Sequence, residues 1–449
     1  MGLMITPFSS PTYRHLFSAQ VIALLGTGLA TIALGLIAYD LAGERAGIVL
    51  GTALAIKMIA YVSVAPVAGA FADRLPRRSF LVTLDLVRAA IALSLPFVDQ
   101  IWQIYVLIFL LQSASAGFTP AFQATIPDVL TDEREYTRAL SLSRLAYDLE
   151  SLISPVLAAA LLTLVSFHWL FAGTAAGFVL SALLVVSASV PPVAAAARER
   201  GVYERIFRGA RIYLATPRLR GLLALNLAAA AAGAMVIVNT VVYVKSGLGR
   251  SDADVALALA FFGGGSMIAA LTLPRLLENR SDRAVMQVGA LGMIIGLLAI
   301  AAASYSGLPP WSALLAIWLM LGLSYSVVLT PSGRLLRRSS HQSDRPALFA
   351  AQFALSHGCW LITYPLAGWL GAQTPMILAF GAMAGVAMAG VLVSRLVWPA
   401  SDLEVLPHVH RDLPDDHPHL RDAVQRRDGY YHTHAYVIDD EHLSWPTAG

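Results

Sequence analysis

The chain has 449 residues, of which 57% are hydrophobic and only 13% charged, with a net charge of +3 and a mean hydropathy of +0.66. Soluble globular domains carry about 25% charged residues, so the composition excludes a soluble fold and points to an all-α polytopic membrane protein surrounded by a lipid bilayer. The small net charge gives no basis for nucleic-acid binding, and a single cysteine, Cys359, excludes an internal disulfide.

The first apolar run begins near Leu16 and lasts about 24 residues. That exceeds the roughly 7–15 residues of a signal-peptide core, no convincing cleavage site follows, and the run is expected to stay in the mature protein. Runs of the length a bilayer requires, about 20 residues, are read at 16–40, 47–70, 79–98, 101–126, 139–165 and 168–191. After a polar stretch they resume at 219–245, 254–276, 284–304, 311–333, 347–371 and 374–398. Twelve transmembrane helices in two blocks of six divide the chain into a first bundle (1–191), a central loop (192–218), a second bundle (219–398) and a tail (399–449). The even-numbered connections hold nineteen arginines, whereas the odd-numbered ones hold Arg45, Lys245 and Arg250. By the positive-inside rule this bias puts both termini in the cytoplasm, with the protein in the cytoplasmic (inner) membrane.

Between the second and third runs lies Gly69-Ala-Phe-Ala-Asp73-Arg74-Leu-Pro76-Arg77-Arg78. Three arginines and a carboxylate cannot lie in hydrocarbon, so the loop sits at a water interface. Asp73 can accept orphan N–H groups of the following helix, and Pro76 suits its first turn. An ordinary positive-inside turn accounts for this much. The stretch also resembles the G-x-L-A-D-R-x-G-R-[RK] loop of the major facilitator superfamily of transporters, matching at Gly69, Ala72, Asp73, Arg74, Arg77 and Arg78 and departing at Phe71 and Pro76. The resemblance implies two six-helix bundles built as inverted repeats, alternating access, and a role for this loop in holding the cytoplasmic gate shut. Asp128, at the inner end of the fourth run, is a candidate partner of the loop.

Two further stretches carry the resemblance. GFTPAFQATIPDVL (117–130) is similar to the end of the fourth helix in the enterobactin-exporter branch. ESLISPVLAAALL (150–162) resembles the proline-glycine signature of the fifth helix of drug antiporters, with Ser154-Pro155 and Ala158-Ala159 in place of the glycines. Both imply an exporter. The central stretch RERGVYERIFRGARIYLATPRLR reads either as an amphipathic helix on the inner membrane surface or as a solvated linker. The second-half counterpart of the gate loop falls near 273–283 and keeps Asp282 and arginines in a changed order.

Ionisable groups inside a span are functional candidates by default. Asp85 and Arg88, three apart, and Arg144 and Asp148, four apart, read as local pairs. Lys57, Glu150 and His357 lie near mid-depth with no local partner. A proton-driven transporter needs a carboxyl that can exchange protons from either side, and Glu150 is the first candidate, with Asp148 second; a static ion pair of Glu150 with Lys57 is the structural alternative. The resemblance places the second and eleventh helices side by side, making Lys57 and His357 neighbours and cavity candidates.

After Trp398-Pro399 the chain turns polar and holds seven of its eleven histidines: His408, His410, His417, His419, His432, His434 and His442. Alternate histidines on an extended chain project the same way, and imidazole beside Asp412, Asp415 and Asp416 suits Zn, Ni, Co or Cu(II). The spacing is not that of a structural zinc site, so a flexible tail with no fixed geometry is expected. Such a tail is similar to those of nickel- and cobalt-resistance exporters of the same superfamily; a pH-responsive segment is the alternative. Tyr436, Val437, Ile438 and Trp445 are apolar enough to dock against the inner gate.

No nucleophile–base arrangement and no phosphate-binding glycine loop is present, so the chain reads as a transporter driven by a gradient and not as an enzyme. The expected activity is proton-coupled export of a drug- or siderophore-like molecule with no cofactor. The alternatives are efflux of a divalent cation fed by the tail, and a non-transporting metal or pH sensor.

Overall fold

The computed structural model describes residues 6–72, 76–130, 132–190, 202–277, 280–305, 311–341, 344–410, 414, 417–426 and 429–446. Asp73, Arg74, Asp412, Asp415 and Asp416 lie outside the described residues, and the side chains of Asp128, Arg144 and Asp148 are outside them too.

The first six spans are α1 (Pro11–Ala42), α2 (Ala46–Ala72), α3 (Arg77–Ser94), α4 (Ile101–Val129), α5 (Glu133–Leu161) and α6 (His168–Ser187). A shorter helix, α7 (Val202–Ala215), bridges to α8 (Pro217–Val242), α9 (Asp252–Leu277), α10 (Asp282–Tyr305) and α11 (Trp311–Leu329). A seven-residue helix, α12 (Ser332–Arg338), precedes α13 (Arg345–Gln373) and α14 (Met376–Val397). The twelve long helices coincide with the twelve expected spans. By length and composition alone nine described stretches qualify as membrane-crossing, the first of which, Pro11–Val64, runs through both α1 and α2. α5 and α13 are absent from that set; α5 carries Glu133, Arg134, Glu135, Arg138, Arg144, Asp148 and Glu150. A helix that faces a protein interior is freed from the requirement of being apolar all round.

In the first bundle α1 packs on α6 and α5, α2 on α4, and α3 on α4 and α6; in the second α8 packs on α14 and α13, α10 on α11 and α14, and α9 on α11. The bundles meet where α2 packs on α13 and α5 on α9. These are the second span with the eleventh and the fifth with the eighth, two contacts exchanged by swapping the halves. Glycines set the closeness of the first. A Cβ on Gly51 would lie 2.5 Å from the backbone oxygen of Tyr364, and one on Gly368 of α13 would lie closer still to the backbone oxygen of Gly47. Gly51→Ala is therefore expected to force α2 from α13 and cost about 1–3 kcal/mol of stability, as overpacking does. An unchanged melting temperature of the purified variant would show that the seam has slack.

The central helix is real, and its apolar side is used on protein. α7 packs on α13 and the start of α8, burying Ile212 and Tyr213, while Phe207 stays exposed. Tyr213 Oη donates to Gln352 Oε1.

The tail departs from expectation. It folds into a three-stranded antiparallel sheet of order β1-β3-β2, with β1 at Val405–His410, β2 at Val424–Arg426 and β3 at Gly429–Ala435. His408 pairs directly with His432 in the ladder. The residues of HAYVIDDEHLSWP explain the difference. Tyr436 and Ile438 are buried in the same apolar cluster as the second bundle, and Leu406 and Trp445 pack against it. A sheet this small is marginal alone, and packing on a larger body supplies the burial it lacks.

Candidate functional site

A cavity of about 400 Å³ opens between the bundles. Its walls come from α1 (Gln20, Leu24, Gly28, Thr31), α2 (Leu50, Leu54, Lys57, Tyr61), α4 (Phe118, Phe122), α5 (Tyr147, Glu150, Ser154), α8 (Ile237, Thr240) and α9 (Leu259, Phe262). Most of this lining is apolar, with a few polar groups converging on it, the usual make-up of a small-molecule site. Beyond the cavity, near the ends of α1 and α8, the two bundles touch where Tyr39 Oη and Ser246 Oγ are 2.7 Å apart and the Lys245 ammonium lies 4.7 Å from the Tyr39 ring centroid.

Lys57 and Glu150 both line the cavity and act on each other electrostatically. The Glu150 side chain is packed closely on α1: a Cβ on Gly28 would fall 2.5 Å from Glu150 Oε1. His357 lies close to Lys57, with its ring stacked on Tyr61 at 6.2 Å and its Nδ1 donating to the Phe353 oxygen at 2.7 Å. It is not among the cavity-lining residues. Cys359 is buried on another face, against the Leu223 carbonyl of α8, so His357 and Cys359 do not converge.

Asp85 and Arg88 pair as the spacing implies, deep inside the first bundle. Asp85 Oδ2 also accepts from Ser181 Oγ at 2.8 Å, and the Arg88 guanidinium lies 4.1 Å from the Phe118 ring centroid and 4.5 Å from that of Phe178. Arg88 reaches the cavity wall as well. Of the loop 69–78, Gly69 lies within the last turn of α2, Arg77 is half-buried, and Arg78 donates to the Val186 carbonyl at the C-terminal end of α6, where a cation complements the free carbonyls.

Sequence reasoning passed over Tyr147 and Arg88 as cavity groups, since nothing in a helical period distinguishes a cavity wall from a packed face. It also counted the arginines after the tenth span only as topological charges. Asp282, fully buried at the start of α10, instead holds Arg334 at 2.6 Å and Arg338 at 2.8 Å. Arg338 in turn pairs with Glu404 of the tail.

The rings of six tail histidines converge, and the ligand nitrogens of five of them (His408, His410, His419, His432 and His442) lie within 4.8 Å of one another; His417 stands apart, its Nδ1 accepting from the His419 N–H. Burial first, then repulsion by neighbouring rings, holds His408, His410 and His432 down at about 4, so these imidazoles are neutral at physiological pH. Burial shifts His419 the same way, against the opposing pull of Glu441. The tail is tied to the helices by polar bridges. Arg208 of α7 pairs with Asp344 at 2.5 Å and Asp440 at 2.7 Å, His341 Nε2 lies 3.0 Å from Asp439, and buried Arg218 of α8 pairs with Asp402 at 3.4 Å.

A family profile described as Major Facilitator Superfamily matches residues 16–237 and 222–415. Curated relatives include an uncharacterized MFS-type transporter, YfiS, of Bacillus subtilis (29% identical over 172 residues, 38% of this chain and 40% of the relative). Macrolide efflux protein A of Streptococcus pyogenes is 23% identical over 184 residues, 40% of this chain and 45% of the relative. The match thus spans under half the length of both relatives. A second uncharacterized MFS-type transporter of Bacillus subtilis, YvqJ, is 24% identical over 364 residues, covering 77% of this chain and 82% of its own. Among solved structures, nucleoside transporter NupG superposes with a TM-score of 0.66 at 13% identity, covering 88% of this chain and 99% of its own. A D-xylose-proton symporter gives 0.62 at 16%, covering 86% and 97%. At these identities the structures establish the fold.

Proposed function

Because the chain belongs to the major facilitator superfamily, we propose that this membrane transporter exports an amphiphilic organic molecule in exchange for protons by alternating access. The observation that carries the proposal is the cavity between the bundles: about 400 Å³, largely apolar, with Lys57 and Glu150 on its wall. That volume suits a drug- or siderophore-sized ligand. An intramembrane carboxyl facing such a space is a natural proton carrier, with Lys57 stabilising its charged form. Efflux is also the activity in the name of macrolide efflux protein A, and multidrug resistance protein MdtG of Serratia proteamaculans is 28% identical over 162 residues, 36% of this chain and 39% of the relative. In this reading Asp148 is a secondary proton carrier, and the 69–78 loop with Asp128 gates the arginine-rich end. That end faces the cytoplasm with both termini, in the cytoplasmic membrane.

A divalent cation fits this cavity poorly as cargo. Among the described residues that line it there is no His or Cys, and Glu150 is the carboxylate. In everted vesicles carrying the protein and an imposed proton gradient, macrolides and lipophilic cations are expected to be taken up and to release protons. Absence of substrate-dependent proton movement across a broad panel of such compounds would overturn the proposal.

A further inference from the structure

We propose that six tail histidines form an octahedral, all-nitrogen site for one six-coordinate divalent transition-metal ion, and that loading it clamps the tail onto the helix joining the two bundles. The inference rests on the tail's geometry and is independent of what the central cavity carries.

Each of His408, His410, His419, His432, His434 and His442 has its ring centroid 4.5–5.1 Å from four of the others. The pairs left over are His408 with His419, at 6.5 Å, His410 with His434, and His432 with His442. Four neighbours and one opposite is the connectivity of an octahedron. The nitrogens agree with the rings. His408 Nε2 is 3.1 Å from both His410 Nε2 and His442 Nε2, and His434 Nε2 is 3.2 Å from His419 Nε2; all three are adjacent pairs in that figure. Nitrogens 3.1 Å apart on an octahedral edge surround a centre about 2.2 Å from each, a bond length for a six-coordinate metal ion.

Between neutral rings, hydrogen bonds do not account for two of these three approaches. The Nδ1 of His408 faces the Leu406 carbonyl at 3.1 Å, and that of His434 the Ala435 carbonyl at 2.7 Å. The Nδ1 of His442 faces Asp439 Oδ1 at 2.8 Å, and that of His419 faces Glu441 Oε2 at 2.7 Å. Carbonyls and carboxylates only accept, so each Nδ1 carries the proton and, in a neutral ring, each Nε2 is a bare lone pair. His408 and His442, and likewise His434 and His419, then present lone pairs to each other across about 3 Å, which is repulsive unless a cation lies between them. The Nε2 of buried His432 has no hydrogen-bond partner either. Oxygen acceptors behind the ligating imidazoles are the usual second shell of a metal site. A set of nitrogens without oxygens or thiolates disfavours Mg²⁺, Ca²⁺ and Cu(I) and suits Ni²⁺, Co²⁺ and their neighbours.

The second shell supplies the clamp. Asp439 receives His442 through Oδ1 and reaches His341, just ahead of α13, through Oδ2. The next residue, Asp440, holds Arg208 of α7, the helix that links α6 to α8. An ion that fixes His442 therefore fixes Asp439 and Asp440 against the connection between the bundles.

The test uses metal-stripped full-length protein in lipid nanodiscs. Titration with Ni²⁺ is expected to give one tight site per chain, with X-ray absorption showing six nitrogen neighbours, and Mg²⁺ is expected not to compete. His408→Ala and His432→Ala should each weaken binding by at least about 100-fold, while His417→Ala retains it. Binding that survives in both ligand variants, or persists in a chain ending at Ala400, overturns the site. For the clamp, Ni²⁺ should slow hydrogen exchange in 202–215, and Asp439→Asn should bind Ni²⁺ without slowing that exchange. If Ni²⁺ binds the wild-type protein and exchange in 202–215 does not change, the clamp is wrong and the site stands.

Discussion

Glu150→Gln is expected to reduce proton-driven efflux to the background of vesicles without the protein. Glutamine keeps the shape of the side chain against Gly28 and Ser154, so the cavity wall is preserved. What is lost is the ability to take up and release a proton, together with the negative charge acting on Lys57. Substrate exchange with equal substrate on both sides needs no net proton movement, and the variant is expected to retain it. Loss of both activities would point to a binding or folding defect, and Glu150→Gln/Lys57→Met separates the two by removing the unpaired ammonium with the carboxylate. The double variant should regain any lost thermal stability and remain unable to use the gradient. Gradient-driven efflux at the wild-type rate in the single variant would reject Glu150 as the proton carrier.

The helix layout was legible because a bilayer imposes a length and an interface imposes a charge bias, and both are read from sequence without knowing any contact. Asp85 with Arg88 was legible for a similar reason: three residues apart on a helix is a local geometry. The Lys57–Glu150 relation needed the knowledge of which helices face each other, and the resemblance supplied only part of that, placing α2 beside α13. The tail was misread in the physical sense. His-x-His spacing by itself describes an isolated extended chain, where two imidazoles meet no others. The ladder that sets His408 opposite His432, and the turn that brings His419 and His442 to the same point, depend on long-range pairing and on burial of Tyr436 and Ile438 against the bundle. The Asp282 pairs were hidden for the same reason: in sequence, an arginine in a loop that carries topological charge is indistinguishable from one held by a buried carboxylate.

Asp85→Ala is expected to destabilise the protein by about 3–5 kcal/mol, the usual consequence of leaving one member of a buried ion pair behind. The Arg88 side chain is only 6% exposed and lies over the Phe118 and Phe178 rings, and Ser181 loses its acceptor as well. Because α3, α4 and α6 all meet at this point, the loss should appear as a lower melting temperature of the purified protein. Asp85→Leu/Arg88→Met replaces the pair by apolar groups of similar volume, and most of the stability should return, since such pairs contribute little net once both desolvation penalties are removed. Transport separates a brace from a working group. Arg88 also lies on the cavity wall near Tyr61, so the stable double variant should still handle neutral substrates and lose those with an anionic group. Wild-type transport of both classes would make the pair a brace alone, and an unstable double variant would show that the ion pair itself holds the three helices in place.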